Sequence, residues 1–411
     1  MTKGPGMSGA QRMRAGVGFS ELPNSREAGA DAARTAFVQG SLDACDLVLI
    51  FATSKHDPVA FRDGVRSVVG PRPRLFGGSA VGVITNDRMG YEGFQAGVAA
   101  IALGRVQADM FVEGELPGNE RAVGVALARH IVAEGYREQP NLLLFYDLVK
   151  RREAGEGLSM TAPTPLIAGM SEVLGEWPAV AGGGLLGDLQ YNPVFQYFDE
   201  RITHHSAMAL ALSGDVRMDT IIMHGCAPST SYKTITKADG NVVLEFDGRP
   251  AVEVVARAFG EDRSWEEYPL YITIGMNHGD RFAARDEDYA VRLCMDIDRE
   301  RGGLVMLGDD MQAGTEVQLM RRTLDLDYVR RRAEELLSKV ADREPVLALY
   351  VDCAGRAGAY CGTEFEEAQG VQEAIGAKMP LFGWYVGCEL AKAGSVMQSH
   401  NWTGILSILS R

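Results

Sequence analysis

Three stretches lying far apart in this chain of 411 residues spell out the same order of elements. The first opens with DLVLIF at 46–51, passes a helical stretch near 57–69 and reaches PRLFGGSAVG at 73–82. The second opens with NLLLFY at 141–146, passes a helical stretch near 164–175 and reaches PAVAGGGLLG at 178–187. The third opens with PVLALYV at 345–351, passes a helical stretch near 364–377 and reaches PLFGWYVG at 380–387. Each reads as buried strand, helix, short strand and glycine-rich turn, and another apolar strand follows at 97–103, 207–212 and 404–409. An order of elements copied within one chain implies duplicated supersecondary units. Strands alternate with helices, yet hairpin signals such as Asp239-Gly240-Asn241 also recur. The expected fold is therefore α/β (mixed α+β), with mixed sheets, helices packed outside and two pseudo-repeated halves. Glycine removes the side chain that holds a ligand off the backbone, so the turns at 77–82, 182–187 and 383–387 are expected to frame a site.

The length implies roughly two or three domains. Residues 1–20, rich in glycine, read as a disordered lead-in, and 24–40 as a helix capped by Ser25. A boundary near Asp247 to Arg249 divides an N-terminal domain (21–247) from a C-terminal one (248–411). The formal net charge of −14 argues against nucleic acid and anionic membrane surfaces as partners. No apolar run approaches the ~18 residues of a membrane span, and the first residues lack the apolar core of a secretory signal. The six cysteines form no Cys-x-x-Cys pair, which fits reduced thiols and a cytoplasmic location.

Gly182-x-Gly184-x-x-Gly187 matches the dinucleotide fingerprint on paper, but strand rather than helix follows it, so nucleotide binding is disfavoured. No metal-binding spacing of His or Cys occurs. His224 ends a buried strand, where a satisfied core histidine is the favoured reading and a haem or metal ligand the alternative. Cys353 precedes Arg356 by three residues; a nearby guanidinium activates a thiol, but Arg356 equally suits a planar anion, and no base partners Cys353 in sequence. Glu389, followed by His400-Asn401-Trp402-Thr403, sits where polar groups form a site rim or a supporting loop.

The pattern of Pro380, Gly383, Trp384, Tyr385 and Glu389, with Cys353 to Arg356 before it and His400, Asn401 and Thr403 after it, resembles the FIST family of bacterial sensory proteins. Gly77 to Gly82 and Gly182 to Gly184 with Asp188 resemble its N-terminal part, and the likeness runs from about Asp46 to the C-terminus. Cys388 stands where the family pattern places Gly directly before Glu. The resemblance implies a non-catalytic, stand-alone sensor of small ligands such as amino acids. It also implies a protein partner, such as a histidine kinase or a cyclic-di-GMP enzyme. Gly78, Ser79, Gly183, Gly184, Asp188, Arg356, Trp384, Tyr385, Glu389 and Asn401 are the expected ligand contacts. Arg356 is expected to meet an anion and Glu389 an ammonium. A subset of the family resembles haem-based nitric-oxide sensors, for which His224, His278, His204 or His400 would be the axial ligand. A third reading is an enzyme with Cys353 as nucleophile.

Overall fold

The computed structural model describes residues 12–150, 160–260, 272–308, 310–323 and 325–411. The repeated order seen in the sequence folds into three α/β units. Unit one runs strand Arg14–Ser20, helix Ser25–Gly40, strand Leu47–Ala52, helix Pro58–Val69, strand Arg74–Ser79, hairpin Gly82–Thr85 with Met89–Tyr91, and strand Ala96–Ala102. Unit two repeats that order with strand Val106–Glu113, helix Glu120–Ala133, strand Asn141–Asp147, helix Pro163–Leu174, strand Val180–Leu185, hairpin Gln196–Phe198 with Arg201–Thr203, and strand Ala207–Gly214. Unit three has strand Arg217–Met223, helix Leu326–Lys339, strand Pro345–Cys353, helices Gly358–Cys361 and Ala368–Ile375, strand Leu381–Val386, hairpin Cys388–Ala393 with Val396–His400, and strand Gly404–Ser410.

Each unit centres on a parallel pair of strands joined by a helical crossover: 47–52 with 74–79, 141–147 with 180–185, and 345–353 with 381–386. Two antiparallel strands of the same unit extend one side of the pair. The other side takes a hairpin from a different unit. Gly82–Thr85 of unit one pairs with 381–386 of unit three, Gln196–Phe198 of unit two with 74–79 of unit one, and Cys388–Ala393 of unit three with 180–185 of unit two. The exchange is cyclic, so each six-stranded sheet needs a second unit for completion. Where the sheets meet, one aromatic comes from each: Phe51 stacks on Trp384 at 4.1 Å, and Phe145 meets both edge-on at 5.6 and 5.7 Å. Such pairs each add about 0.5–1.5 kcal/mol beyond their buried area.

Between the first strand and first helix of unit three the chain leaves to build a separate module over residues 226–322. Six of its strands, Lys233–Asp239, Val242–Phe246, Ile272–Asn277, Tyr289–Asp298, Gly303–Met306 and Glu316–Arg322, pair antiparallel in a closed ring. Ile235, Phe246, Ile274, Leu304 and Leu319 fill this barrel, and Ala251 and Val255 of helix Ala251–Phe259 pack against it. The division expected at 247/248 falls between two paired strands of this module.

Three expectations are corrected. Arg14–Ser20 is not a disordered lead-in but a strand paired along 96–102; residues 1–11 lie outside the described residues. Its glycines, which read as loop, let helix 25–40 sit directly on the strand: a Cβ on Gly16 would lie 2.0 Å from the Ala36 carbonyl oxygen. Asn24, not Ser25, caps that helix, accepting from the Glu27 amide at 3.1 Å. Lastly, most of the repeated glycines lie inside strands. Gly77, Gly182 and Gly383 occupy one register position in the three parallel pairs, opposite Ile50, Leu144 and Tyr350. A Cβ there would lie 1.9, 1.8 and 2.7 Å from the facing carbonyl oxygens. The repeat of glycine is a requirement of backbone approach between paired strands.

Candidate functional site

The carboxyl ends of the three parallel pairs converge, and the loops that follow them enclose a crevice of about 370 Å³. Ligands in sheets of this kind bind outside the carboxyl ends of the strands. Unit one supplies Thr53, Ser54, Lys55, Val81, Glu92 and Gly93; unit two supplies Gly187 to Gln190 and Asn192; unit three supplies Tyr360 from its short helix. Wider hollows lie on the inserted barrel (about 510 Å³) and along helix 120–133 (about 700 Å³), but neither gathers loops from all three units.

The loops are tied across unit boundaries. The Ser54 amide of unit one donates to the Gly187 carbonyl of unit two at 3.0 Å, while within unit one Thr53 Oγ1 donates to the Gly93 carbonyl at 2.7 Å. Asp188 organises the wall: it accepts from Ser54 Oγ, from Asn192 Nδ2 at 2.8 Å, and from the amides of Gln190 and Asn192 at 3.0 and 3.2 Å. Partial burial works against its charge, but these donors outweigh it and hold the carboxyl below its ordinary range. Lys55 is exposed at the rim, donating to the Glu92 carbonyl and lying 5.8 Å from the centre of the Phe94 ring. Burial, and next a hydrogen bond to Glu92, raise the Tyr360 hydroxyl above its usual value.

The expected contact residues fall into two groups. Asp188 lines the crevice. Ser79 is next to it but buried, donating from its amide to the Phe195 carbonyl at 2.8 Å and accepting at Oγ from the Phe195 amide at 2.9 Å. The expectation of bare backbone at Gly78, Gly183 and Gly184 fails, because protein fills the space: a Cβ would meet Leu185 Cδ1 at 2.6 Å, the Cys388 carbonyl at 2.6 Å and the Tyr146 ring at 2.7 Å. Trp384 belongs to the aromatic contact between sheets, and Tyr385 is buried with its ring edge-on to Tyr91.

Arg356 is also not open to an external anion. It is 1% exposed, pairs with Asp352 and Glu367 at 2.8 Å each, and donates to the Trp402 carbonyl at 3.3 Å. Glu367 in turn pairs at 2.9 Å with Arg322 of the barrel, whose guanidinium lies 4.4 Å from the centre of the Trp402 ring. This buried chain of charges docks the inserted barrel. A second dock lies nearby: Arg292 of the barrel donates to the Ser399 carbonyl at 2.6 Å, and Asn401 accepts from the Leu293 amide at 3.1 Å. Asn401 also donates to the His400 carbonyl at 3.0 Å.

Glu389 is wholly buried. Its Oε2 accepts from the Thr403 amide at 3.1 Å, and the Cys353 thiol is a further hydrogen-bonding neighbour of the carboxyl. Burial, the largest influence, raises its carboxyl well above the ordinary range, and complete burial keeps it from meeting an external ammonium. Burial likewise raises the Cys353 thiol well above its usual value, the opposite of an activated nucleophile.

The histidines do not converge on the crevice. His224 Nδ1 accepts from the Cys226 amide at 3.0 Å and Nε2 meets the Asp286 carbonyl at 2.9 Å, so both ring nitrogens are engaged. His400 Nε2 meets the Ala391 carbonyl at 3.2 Å, and His204 Nδ1 the Val194 carbonyl at 2.8 Å. His278 is half-buried, and burial, then the charge of Arg292, lowers its imidazole below the usual value. Among the described residues, no group of three or more His, Cys, Asp or Glu is placed to hold a metal ion, and no helix is long and apolar enough to cross a membrane.

Sequence reasoning did not find Ser54, Lys55, Glu92, Asn192 or Tyr360. Only Asn192 carried a signal, as the residue that closes a turn on Asp188; the others are defined by assembly of the units.

The family model for the FIST N domain matches residues 46–249, and that for the FIST C domain matches 251–392. The chain belongs to the FIST family. FIST domains are sensory rather than catalytic. Relatives include uncharacterized protein Mb0898c of Mycobacterium bovis, 24% identical over 96% of this chain and 98% of its own length. Uncharacterized protein Rv0628c of Mycobacterium tuberculosis is 23% identical over 96% and 99%. Uncharacterized protein MJ1623 of Methanocaldococcus jannaschii is 24% identical over 43% of this chain and 35% of its own. Among solved structures, T. maritima PurL complexed with ADP aligns over 97% of this chain and 71% of its own at 9% identity, but its TM-score of 0.23 carries no argument. The junction between the two FIST domains falls within the inserted barrel, so the barrel begins in the N domain and ends in the C domain.

Proposed function

We propose that this FIST protein senses a small amino-acid-like ligand held in the crevice between its three units. The observation that supports this most is a hollow of ligand size at the carboxyl ends of the parallel strands, with charges of both signs on its wall. Lys55 would meet the ligand carboxylate, and Glu92 with the ionised Asp188 its ammonium. Tyr360 carries the signal onward. Its helix follows Arg356 directly, and the Arg356–Glu367–Arg322 chain leads to the inserted barrel. A ligand that prefers one setting of that helix shifts the barrel's position, and with it contact with a partner such as a histidine kinase or a cyclic-di-GMP enzyme.

A thermal-shift screen of the twenty amino acids tests the reading. A ligand at a hundredfold excess over its Kd stabilises by about 2.7 kcal/mol. Lys55→Ala and Glu92→Gln should each abolish the shift. If no amino acid shifts the melting temperature, or if those variants retain the full shift, the crevice is not the sensor site. The haem reading lacks comparable support, since the ring nitrogens of His224 are taken and none of the four histidines lines the crevice. A Soret band that moves on addition of nitric oxide after haemin loading would reinstate it.

A further inference from the structure

A second hollow of about 370 Å³ opens where units two and three meet the inserted barrel. Unit two gives it Ala179 and Val180, at the start of strand 180–185, whereas the crevice takes Gly187 and Asp188 from beyond the end of that strand. Unit three gives strand 217–223, Lys339 at the end of helix 326–339, and Lys392 and Gly394 at the tip of its hairpin. The barrel gives Arg285 and Glu287. The fold fixes this meeting. Leu390 pairs with Gly182, so Lys392 is carried to the start of strand 180–185. The Gly394 amide donates to the Glu287 carbonyl at 2.8 Å, and Arg332 of helix 326–339 donates to the Ile222 carbonyl at 3.3 Å.

The wall of this hollow has two characters. Val180, Met218, Ile221 and Ile222 make one part apolar. Arg285, Lys339 and Lys392 bring three cations, against Glu287 as the carboxylate among the described lining residues. Glu287 is already matched, by Arg332 at 3.0 Å and Arg285 at 3.4 Å. Arg285 also meets Asp288 at 3.4 Å, and Lys339 pairs with Glu335 at 2.8 Å. Lys392 differs. Its ammonium donates to the Trp177 carbonyl and forms no ion pair among the described residues. Burial lowers its amine below the usual value, with the charge of Glu176 opposing. A cation half withdrawn from water and without a paired carboxylate has attraction left to give.

We propose that this hollow is a second binding site, for a small amphipathic anion: a carboxylate or phosphate head on an apolar body. Lys392 holds the head, Lys339 and Arg285 add to the field around it, and the body lies along Val180, Met218 and Ile222. The volume suits such a molecule, standing at the small end of the ~300–1,000 Å³ range of ligand pockets. Cations gathered in a concave site with apolar walls reinforce one another's attraction for an anion. Because those cations come from the barrel as well as from unit three, a bound anion ties the barrel to the body and so favours its docked setting. The site is separate from the crevice and does not depend on what the crevice binds.

Calorimetric titration of the full chain with octanoate, octyl phosphate, octanol and inorganic phosphate separates head from body. The better of the two eight-carbon anions should bind at least tenfold more tightly than octanol, which lacks the charge, and than inorganic phosphate, which lacks the body. Which of the two it is identifies the head. Lys392→Met keeps an apolar stem without the charge, so the variant should fold, and it should weaken that anion at least fivefold. Lys55→Ala at the crevice should leave the affinity unchanged. A further readout uses the parent protein alone: the bound anion should slow acetylation of Lys392 by acetic anhydride at least threefold and leave the exposed Lys237 unaffected. The site is overturned if neither anion binds, if octanol binds as well, if Lys392→Met retains full affinity, or if Lys392 is not protected. Binding lost in Lys55→Ala but kept in Lys392→Met would place the anion in the crevice, which overturns this site and leaves the crevice standing.

Discussion

The crevice rim and the dock beneath it are built from loops at the ends of the same strands, and they differ in how completely their polar groups are matched. At the dock, Arg356 meets two carboxylates and a carbonyl, and Glu367 shares itself between Arg356 and Arg322. At the rim, Lys55 and Glu92 are exposed, and among the described residues neither side chain forms an ion pair. Saturated charges hold two parts of a protein together; charges with unused valence bind something else. Residue type does not tell the two apart, because an arginine three residues after a strand suits either role.

The sharpest way to break this comparison is Arg356→Ala. It leaves Asp352 and Glu367 buried without their shared cation, and loss of one partner from a buried network costs about 3–5 kcal/mol. Lys55→Ala at the rim should stay within about 0.5 kcal/mol of the parent. Urea denaturation of the two variants checks both figures. Equal and mild effects would mean that the buried chain of charges does not hold the barrel. Next in size is Gly182→Ala, whose new Cβ would lie 1.8 Å from the Leu144 carbonyl oxygen. Overpacking of this sort costs about 1–3 kcal/mol, and here it parts a central strand pair. Glycine tolerates this loss only if the sheets repack, and a measured cost near zero would show that the repeated glycines are not needed for strand approach.

Much of the architecture was legible because its signals are local. Runs such as 46–51 and 141–146, apolar at nearly every position, imply strands covered on both faces, and these became the centres of two sheets. The Asp239-Gly240-Asn241 turn lies between paired strands, with Gly240 at φ +57. The cyclic exchange of hairpins was not legible, since 82–91 carries no mark that its partner lies some 300 residues away at 381–386. The function of the glycines was misread for a related reason: close approach to a ligand and close approach to a neighbouring strand ask for the same residue. Asp188 was found and retains its place at the crevice. Arg356, Glu389 and Asn401 were found as an important cluster, but burial turned them from ligand contacts into docking and core groups.

The smallest expected effects compare two carboxyls, Glu389 and Asp188, through pH. Burial raises the folded value of Glu389 above its unfolded value of about 4.3, so the native state binds more protons above that pH. Wild-type stability from this group therefore falls as pH rises from about 5 through neutrality. Glu389→Gln removes the fall: it should match the parent near pH 4 and gain on it, by at most about 1.4 kcal/mol per pH unit, as pH rises. Asp188 has the opposite sign. Its hydrogen bonds lower the folded value, so its contribution is present above the unfolded value of about 3.9 and is lost as pH falls through the folded one. Asp188→Asn should cost a few tenths of a kcal/mol at pH 7, a small figure because the carboxyl is half-exposed and screened, and nothing near pH 2. Denaturation midpoints measured from pH 3 to pH 8 should diverge from the parent in opposite directions for the two variants. Parallel profiles would mean that one of these acids sits in a different charge state from the one its hydrogen bonds imply.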